Sequence, residues 1–265
     1  MTVLAVPLSC QEGRSLVKED GSDWQIEPCM PGAADFKASP QAARLTNAMS
    51  SLAQFHRVAA IYRPDASSAE WFSAVPSSVS PAVETRLRAF RWWDRDRLRE
   101  LSRRIEANSD SPLRTLARHL VAEFSRASLR VHSELSDLRD QRYRLQVCLR
   151  DVWHDHLLFT GDAVTGLIDP SASRTENVAA DLARLIGSLV GDDRSLWDRA
   201  MDAYCRAAPL TASEIRLVAA LDRSGVLLSP MTWLERFFFD HRPVPSDTKL
   251  HARLGEFAAR MERIE

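Results

Sequence analysis

With 265 residues, 45% of them hydrophobic and 27% charged, the chain can bury a substantial core, as one large domain or two modest ones. Its formal net charge of -1 leaves no basic surplus for nucleic acid or an anionic membrane surface, and no apolar run approaches the roughly 20 residues that cross a bilayer. The 4 cysteines are isolated, without C-x-x-C spacing, which points to reduced thiols in a cytoplasmic protein rather than a zinc knuckle or disulfide framework. The run from Val3 to Cys10 has no basic residue before it and is interrupted by Pro7, so it is not read as a lipoprotein leader.

The first 36 residues read as β-rich. Residues 15–18 and 23–27 flank Glu19-Asp20-Gly21-Ser22, a hairpin signal, and Pro28-Cys29-Met30-Pro31-Gly32 halts the second strand. From there the chain is mainly helical. Leu45, Met49, Leu52, Phe55 and Ala59 recur at helical spacing between Gln41 and Tyr62. A loop rich in Ser and Pro, around Trp71 and Phe72, fills residues 64–82. Helical zones follow at 82–107 and 113–138, then at 178–190, 195–204, 211–223, 231–240 and 249–264. In the Arg-rich 84–104 segment, Glu84, Asp94, Asp96 and Glu100 interleave with the arginines, so it reads as a salt-bridged helix face.

One stretch breaks the helical pattern, LRDVWHDHLLFTGDAVTGLIDP at residues 149–170. Leu157 to Phe159 is a strand, 160–163 a turn, and Val164 to Ile168 a second strand. Pairing Phe159 with Val164 sets His156 opposite Leu167 and brings Asp169 near His154, so that carboxylates and imidazoles converge at one end of the hairpin.

The order of these parts resembles the aminoglycoside phosphotransferase and choline kinase-like family, which shares the protein-kinase architecture. Leu149-Arg150-Asp151 stands where that family has H-G-D, His156 where it has Asn, and Ile168-Asp169-Pro170 where it has I-D-F or I-D-W. Asp181-Leu182-Ala183 matches its D-L-A helix, Leu52-Ala53-Gln54-Phe55-His56 its L-x-x-L-H helix, and 27–32 its hinge. The resemblance implies an α+β, mainly α, protein-kinase-like fold: a remnant β-sheet small lobe over 1–36, and a helical lobe over 37–265 that carries the catalytic loop and metal-binding hairpin.

It also implies a chemistry, an ATP-dependent transfer of phosphate to a hydroxyl group of a small molecule. Asp151 would accept or orient the hydroxyl proton, and Asp169 would hold the magnesium that bridges the nucleotide phosphates. Backbone groups at Glu27, Cys29 and Met30 would bind adenine, and Asp181 would brace the loop. His156 in the Asn position favours manganese over magnesium, because imidazole is a poorer partner for a hard cation. Residues 1–14 hold one glycine and no lysine. The family's Gly-rich strands and phosphate-gripping lysine are therefore expected to be missing: either Met1 is misassigned, or the protein binds nucleotide weakly or not at all, with low or absent activity in this form. A cationic acceptor would call for acids near the site, for which Asp181, Asp192, Asp193, Asp198 and Asp202 are candidates.

Two other readings compete. A non-catalytic, pseudokinase-like module would keep the scaffold without the reaction. A metal-dependent phosphohydrolase of the HD type would use His154-Asp155 with His119 or His132 and Asp181, although its doublet belongs on a helix. The remaining lone histidines, His56 among them, read as surface or helix-packing residues.

Overall fold

The computed structural model describes residues 3–108, 111–243 and 248–264. In chain order the elements are β1 (Val17–Glu19), β2 (Ser22–Trp24), α1 (Ala42–Ala59), β3 (Ser77–Val79), α2 (Pro81–Trp92), α3 (Arg95–Ala107), α4 (Arg114–Asp137), β4 (Arg142–Arg144), β5 (Gln146–Cys148), β6 (Leu157–Thr160), β7 (Ala163–Leu167), β8 (Arg174–Glu176), α5 (Ala179–Val190), α6 (Arg194–Cys205), α7 (Ala212–Phe238) and α8 (Thr248–Glu262). The mainly helical α+β expectation holds. The strands form four separate antiparallel pairs, β1-β2, β3-β4, β5-β8 and β6-β7.

The chain divides into two compact units, Met1–Ala74 with Gln146–Leu210, and Val75–Leu145 with Thr211–Glu265. In the first, α1 packs on α6 and buries Leu45, Met49 and Leu52. The β1-β2 hairpin turns on Asp20 (φ +50°) and Gly21 (φ +75°), the two left-handed positions that a type I′ turn requires. Residues ahead of it also reach β7, where the Ala5 amide donates to the Leu167 carbonyl at 3.0 Å.

The β6-β7 hairpin differs from the register predicted from sequence. Phe159 does face Val164, but Leu158 faces Gly166 and Leu157 faces Leu167. A bulge at Thr165 shifts every pair beyond it by one residue, so His156 lies opposite Ile168, whose amide donates to the His156 carbonyl at 3.0 Å. The bulge is held by a residue remote in sequence. Thr165 Oγ1 donates to the Pro31 carbonyl at 2.6 Å. Beside it, a Cβ on Gly32 would sit 2.5 Å from Thr165 Oγ1 and 2.7 Å from the Phe159 carbonyl oxygen, and φ there is +108°. Only glycine fits this crossing.

In the second unit α4 packs against α7 and α8, with Leu120, Phe124, Val131 and Leu135 buried along one stripe. The predicted 82–107 zone is two helices, because Asp94 caps α3 by accepting from the Arg97 amide at 2.8 Å. The zones predicted at 211–223 and 231–240 are one helix, α7, which runs through Pro230. Proline removes a single ladder bond there, and the apolar contacts on both sides outweigh the loss. The Arg-rich face carries its expected ion pairs, Arg104 with Glu100 at 2.6 Å and Arg99 with Asp96 at 3.1 Å. Among the described residues no helix is long and apolar enough to cross a membrane.

Candidate active site

The loop that leaves β5 is fixed by alternation. Cys148, Leu149 and Val152 are buried, while Arg150 is exposed and Asp151 half-buried. Arg150 is left-handed, with φ +63°, a conformation that costs an L-residue roughly 1–2 kcal/mol. The carboxylate of Asp181, fully buried on α5, offsets it. Oδ2 accepts the Leu149 amide at 2.7 Å and Oδ1 accepts the Arg150 amide at 2.6 Å.

Behind Asp181 stands His56 of α1. Its Nε2 lies 3.0 Å from Asp181 Oδ2, and its Nδ1 lies 2.7 Å from the Tyr204 hydroxyl on α6. A carboxylate oxygen only accepts, so Nε2 carries the proton, and Nδ1 is then free to accept from Tyr204. Helices α1, α5 and α6 thus meet in a buried polar chain that ends on the backbone of the loop. Cys148 touches the same cluster, and its Sγ lies 3.4 Å from the Glu176 carbonyl. Burial, then the Asp181 and Glu176 carboxylates, push its thiol well above the ordinary 9.0.

One face of α5 tracks the whole loop. Asp181 holds residues 149 and 150, Arg184 ion-pairs with Asp151, and Ser188 Oγ accepts the His154 amide at 3.0 Å. Positions i, i+3 and i+7 fall on one helix stripe. Helical spacing from Asp181 is the one sequence signal for Arg184 and Ser188, which no motif marks. His56, expected to be a surface or helix-packing residue, instead braces Asp181.

At the far end, residues 154–156 form a single 3-10 turn, not a helix. The Trp153 indole N–H donates to His156 Nε2 at 2.7 Å, and the Trp153 ring packs against both His154 and His156. The hairpin returns Asp169 to this end, with its Oδ2 3.9 Å from His156 Nε2 and its Oδ1 accepting from Ser171 Oγ at 2.6 Å. Asp169 is also left-handed, φ +54°. His156 and Asp169 therefore meet, whereas Asp151 turns to Arg184. Asp169 offers the hard oxygen a divalent cation needs; the His156 lone pair at Nε2 is already engaged by the indole.

Among the described residues, one group of three has ligand atoms close enough for a metal: His56, Cys148 and Asp181, all buried and within 4.8 Å of one another. The hydrogen bonds given above account for that cluster. Of the histidines in the phosphohydrolase reading, His119 pairs with Glu262 at 2.7 Å and His132 packs on Phe90. At the hinge, Met30 lies over the hairpin, its Cβ 2.8 Å from where a Gly166 Cβ would be, while Glu27 and Cys29 are exposed.

Sequence comparison decides the family. The model of the phosphotransferase enzyme family (APH) matches residues 5–216, some four-fifths of the chain. The chain belongs to the phosphotransferase enzyme family. A search of curated proteins finds no match. Solved structures share this phosphotransferase fold at low identity. An aminoglycoside phosphotransferase from Alicyclobacillus acidocaldarius is 17% identical, with a TM-score of 0.61 over 98% of this chain and 74% of its own. An amicoumacin kinase in complex with AMP-PNP, Ca2+ and Ami is 10% identical, with a TM-score of 0.63 over 98% of this chain and 72% of its own. A choline/ethanolamine kinase family protein from Mesorhizobium loti is 15% identical, with a TM-score of 0.54 over 94% and 73%. The phosphotransferase fold read from the sequence is the one the chain adopts.

Proposed function

We propose that this family member is an ATP-dependent phosphotransferase that acts on a hydroxyl group of a small molecule. The observation that carries the reading is the grip of Asp181 on the Leu149 and Arg150 amides. It fixes the loop after β5 that carries Asp151, while the β6-β7 hairpin leads to a second carboxylate, Asp169. Phosphoryl transfer asks a protein for positioning and charge more than for covalent chemistry, and two placed carboxylates supply what the reaction needs.

In this reading Asp151 takes or orients the acceptor proton. Asp169 holds magnesium or manganese, which when bound neutralises charge on the nucleotide phosphates. His156 joins Asp169 as a second ligand once its Nε2 leaves the Trp153 indole. Residues 27–30 receive the adenine edge, with Glu27, Cys29 and Met30 contributing backbone groups, and residues 1–36 act as part of a small lobe. A kinase of the same fold solved with AMP-PNP and Ca2+ supports nucleotide binding in this reading.

A second reading, a non-catalytic module, is favoured by the engagement of two of these groups. Asp151 is ion-paired with Arg184, and His156 Nε2 accepts from Trp153. Thermal unfolding with ATP, GTP and AMP-PNP, each with magnesium or manganese, separates the two. Specific nucleotide binding raises the midpoint, and the rise is lost in Asp169→Ala. A flat response to every nucleotide replaces the enzyme with the module.

A further inference from the structure

Several of the acids expected to meet a polycation are committed elsewhere. Asp181 is buried with both oxygens accepting, and Asp193 caps α6 through the Leu196 amide at 3.0 Å. Asp155 lies 3.4 Å from His154, and Asp169 accepts from the Ser171 hydroxyl at 2.6 Å. Arginines stand in the loop and at its base. Arg184 contacts Asp151, Arg150 precedes it and is exposed, and Arg174 stands directly across the β5-β8 ladder from Cys148. Paired residues on a ladder lie about 5 Å apart, so Arg174 enters the loop at its base.

Arg174 is also held ready. Its guanidinium lies 4.0 Å over the Trp71 ring, and one Nη1 hydrogen goes to the Ser173 carbonyl at 2.6 Å. The Ser73 amide donates to Thr175 Oγ1 at 2.7 Å, tying the Trp71 loop to β8 and fixing this platform. A stacked guanidinium keeps its in-plane N–H edge, the edge that pairs with a carboxylate or phosphate in two parallel bonds.

We infer that the hydroxyl-bearing acceptor carries an acidic group, a carboxylate or a phosphate, which Arg150 and Arg174 take up beside Asp151. The inference rests on the phosphotransferase reading above. It excludes aminoglycoside-like acceptors, whose charge would face guanidiniums. Arg184 stays with Asp151 and keeps the loop in place.

Calorimetric titration of the whole chain with matched probes tests this without turnover. Gluconate is compared with sorbitol, glycerol 3-phosphate with glycerol, and kanamycin serves as the polycation. The acid of each pair binds at least about tenfold more tightly than its neutral partner. Arg150→Gln and Arg174→Gln weaken it by roughly 10- to 100-fold, the span expected for a charged hydrogen bond, with melting midpoints unchanged. Arg174→Lys recovers part of the loss. Equal binding of acid and neutral probes, no binding by either acid, or tighter binding of kanamycin overturns the inference. AMP-PNP is titrated into the same variants. A loss of nucleotide affinity with acid binding intact assigns the arginines to the nucleotide and also overturns it. Selective acid binding by a wild type that ignores AMP-PNP upholds the anion site and sinks the phosphotransferase reading.

Discussion

Asp181 holds Arg150 in a left-handed backbone conformation through a single short hydrogen bond, Oδ1 to the amide at 2.6 Å. A second bond, to the Leu149 amide, and a third contact, to His56, complete its environment at zero exposure. Asp181→Ala leaves two buried donors and the part-buried Arg150 amide without this acceptor, each buried one worth on the order of 1–3 kcal/mol. The expected loss is about 4 kcal/mol in urea unfolding, with a flattened or split transition if the loop melts first. A loss under about 1 kcal/mol would mean that Asp181 does not organise the loop.

The crossing of residues 31–33 over the hairpin depends on Gly32. Gly32→Ala places a Cβ against Thr165 Oγ1 and the Phe159 carbonyl, at φ +108°, and should cost on the order of 2–4 kcal/mol. Gly13 also has a positive φ, +79°, but open space around it, so Gly13→Ala should cost only about 1 kcal/mol. Denaturation midpoints for the two variants should differ clearly; equal midpoints contradict the packing.

In the proposed reading the indole of Trp153 would compete with a metal ion for His156 Nε2. Removing that donor in Trp153→Phe should strengthen manganese binding relative to magnesium, read by calorimetry in the presence of AMP-PNP. His156→Asn should reverse the preference toward magnesium. If neither substitution changes the ratio, His156 is no ligand.

Cys148 should be chemically silent. An ordinary thiol ionises near 9.0, but burial beside Asp181 and Glu176 keeps this one protonated well above that. Alkylation followed by peptide mass mapping, from pH 7 to 9.5, should label exposed Cys29 increasingly and leave Cys148 unlabelled until the chain unfolds. Labelling of Cys148 in step with Cys29 would place it outside the core.

Local signals in the sequence were legible where one residue type dictates the backbone. Asp20-Gly21 specified a turn, and the apolar periodicity of α1 and α4 specified helices and their buried faces. What escaped depended on distant partners. Strands β3, β4, β5 and β8 have three residues each, and their pairing joins segments as remote as Val79 and Arg142. No local pattern of three residues announces that. The Thr165 bulge was invisible for the same reason, since its cause is the Pro31 carbonyl. In the candidate site the carboxylates stood out by motif. Tyr204, Arg184 and Ser188 did not, because each acts through a contact with a segment far away in the chain.

The most direct test of the phosphotransferase reading is transfer of the γ-phosphoryl group from labelled ATP, with magnesium or manganese, to a panel of acidic, neutral and cationic alcohols. A phosphorylated product should form with the wild type, and Asp151→Asn should lower its rate by about 10²–10⁴ while nucleotide binding persists. No phosphorylated product from any acceptor with either metal, or a rate unchanged in Asp151→Asn, would contradict it.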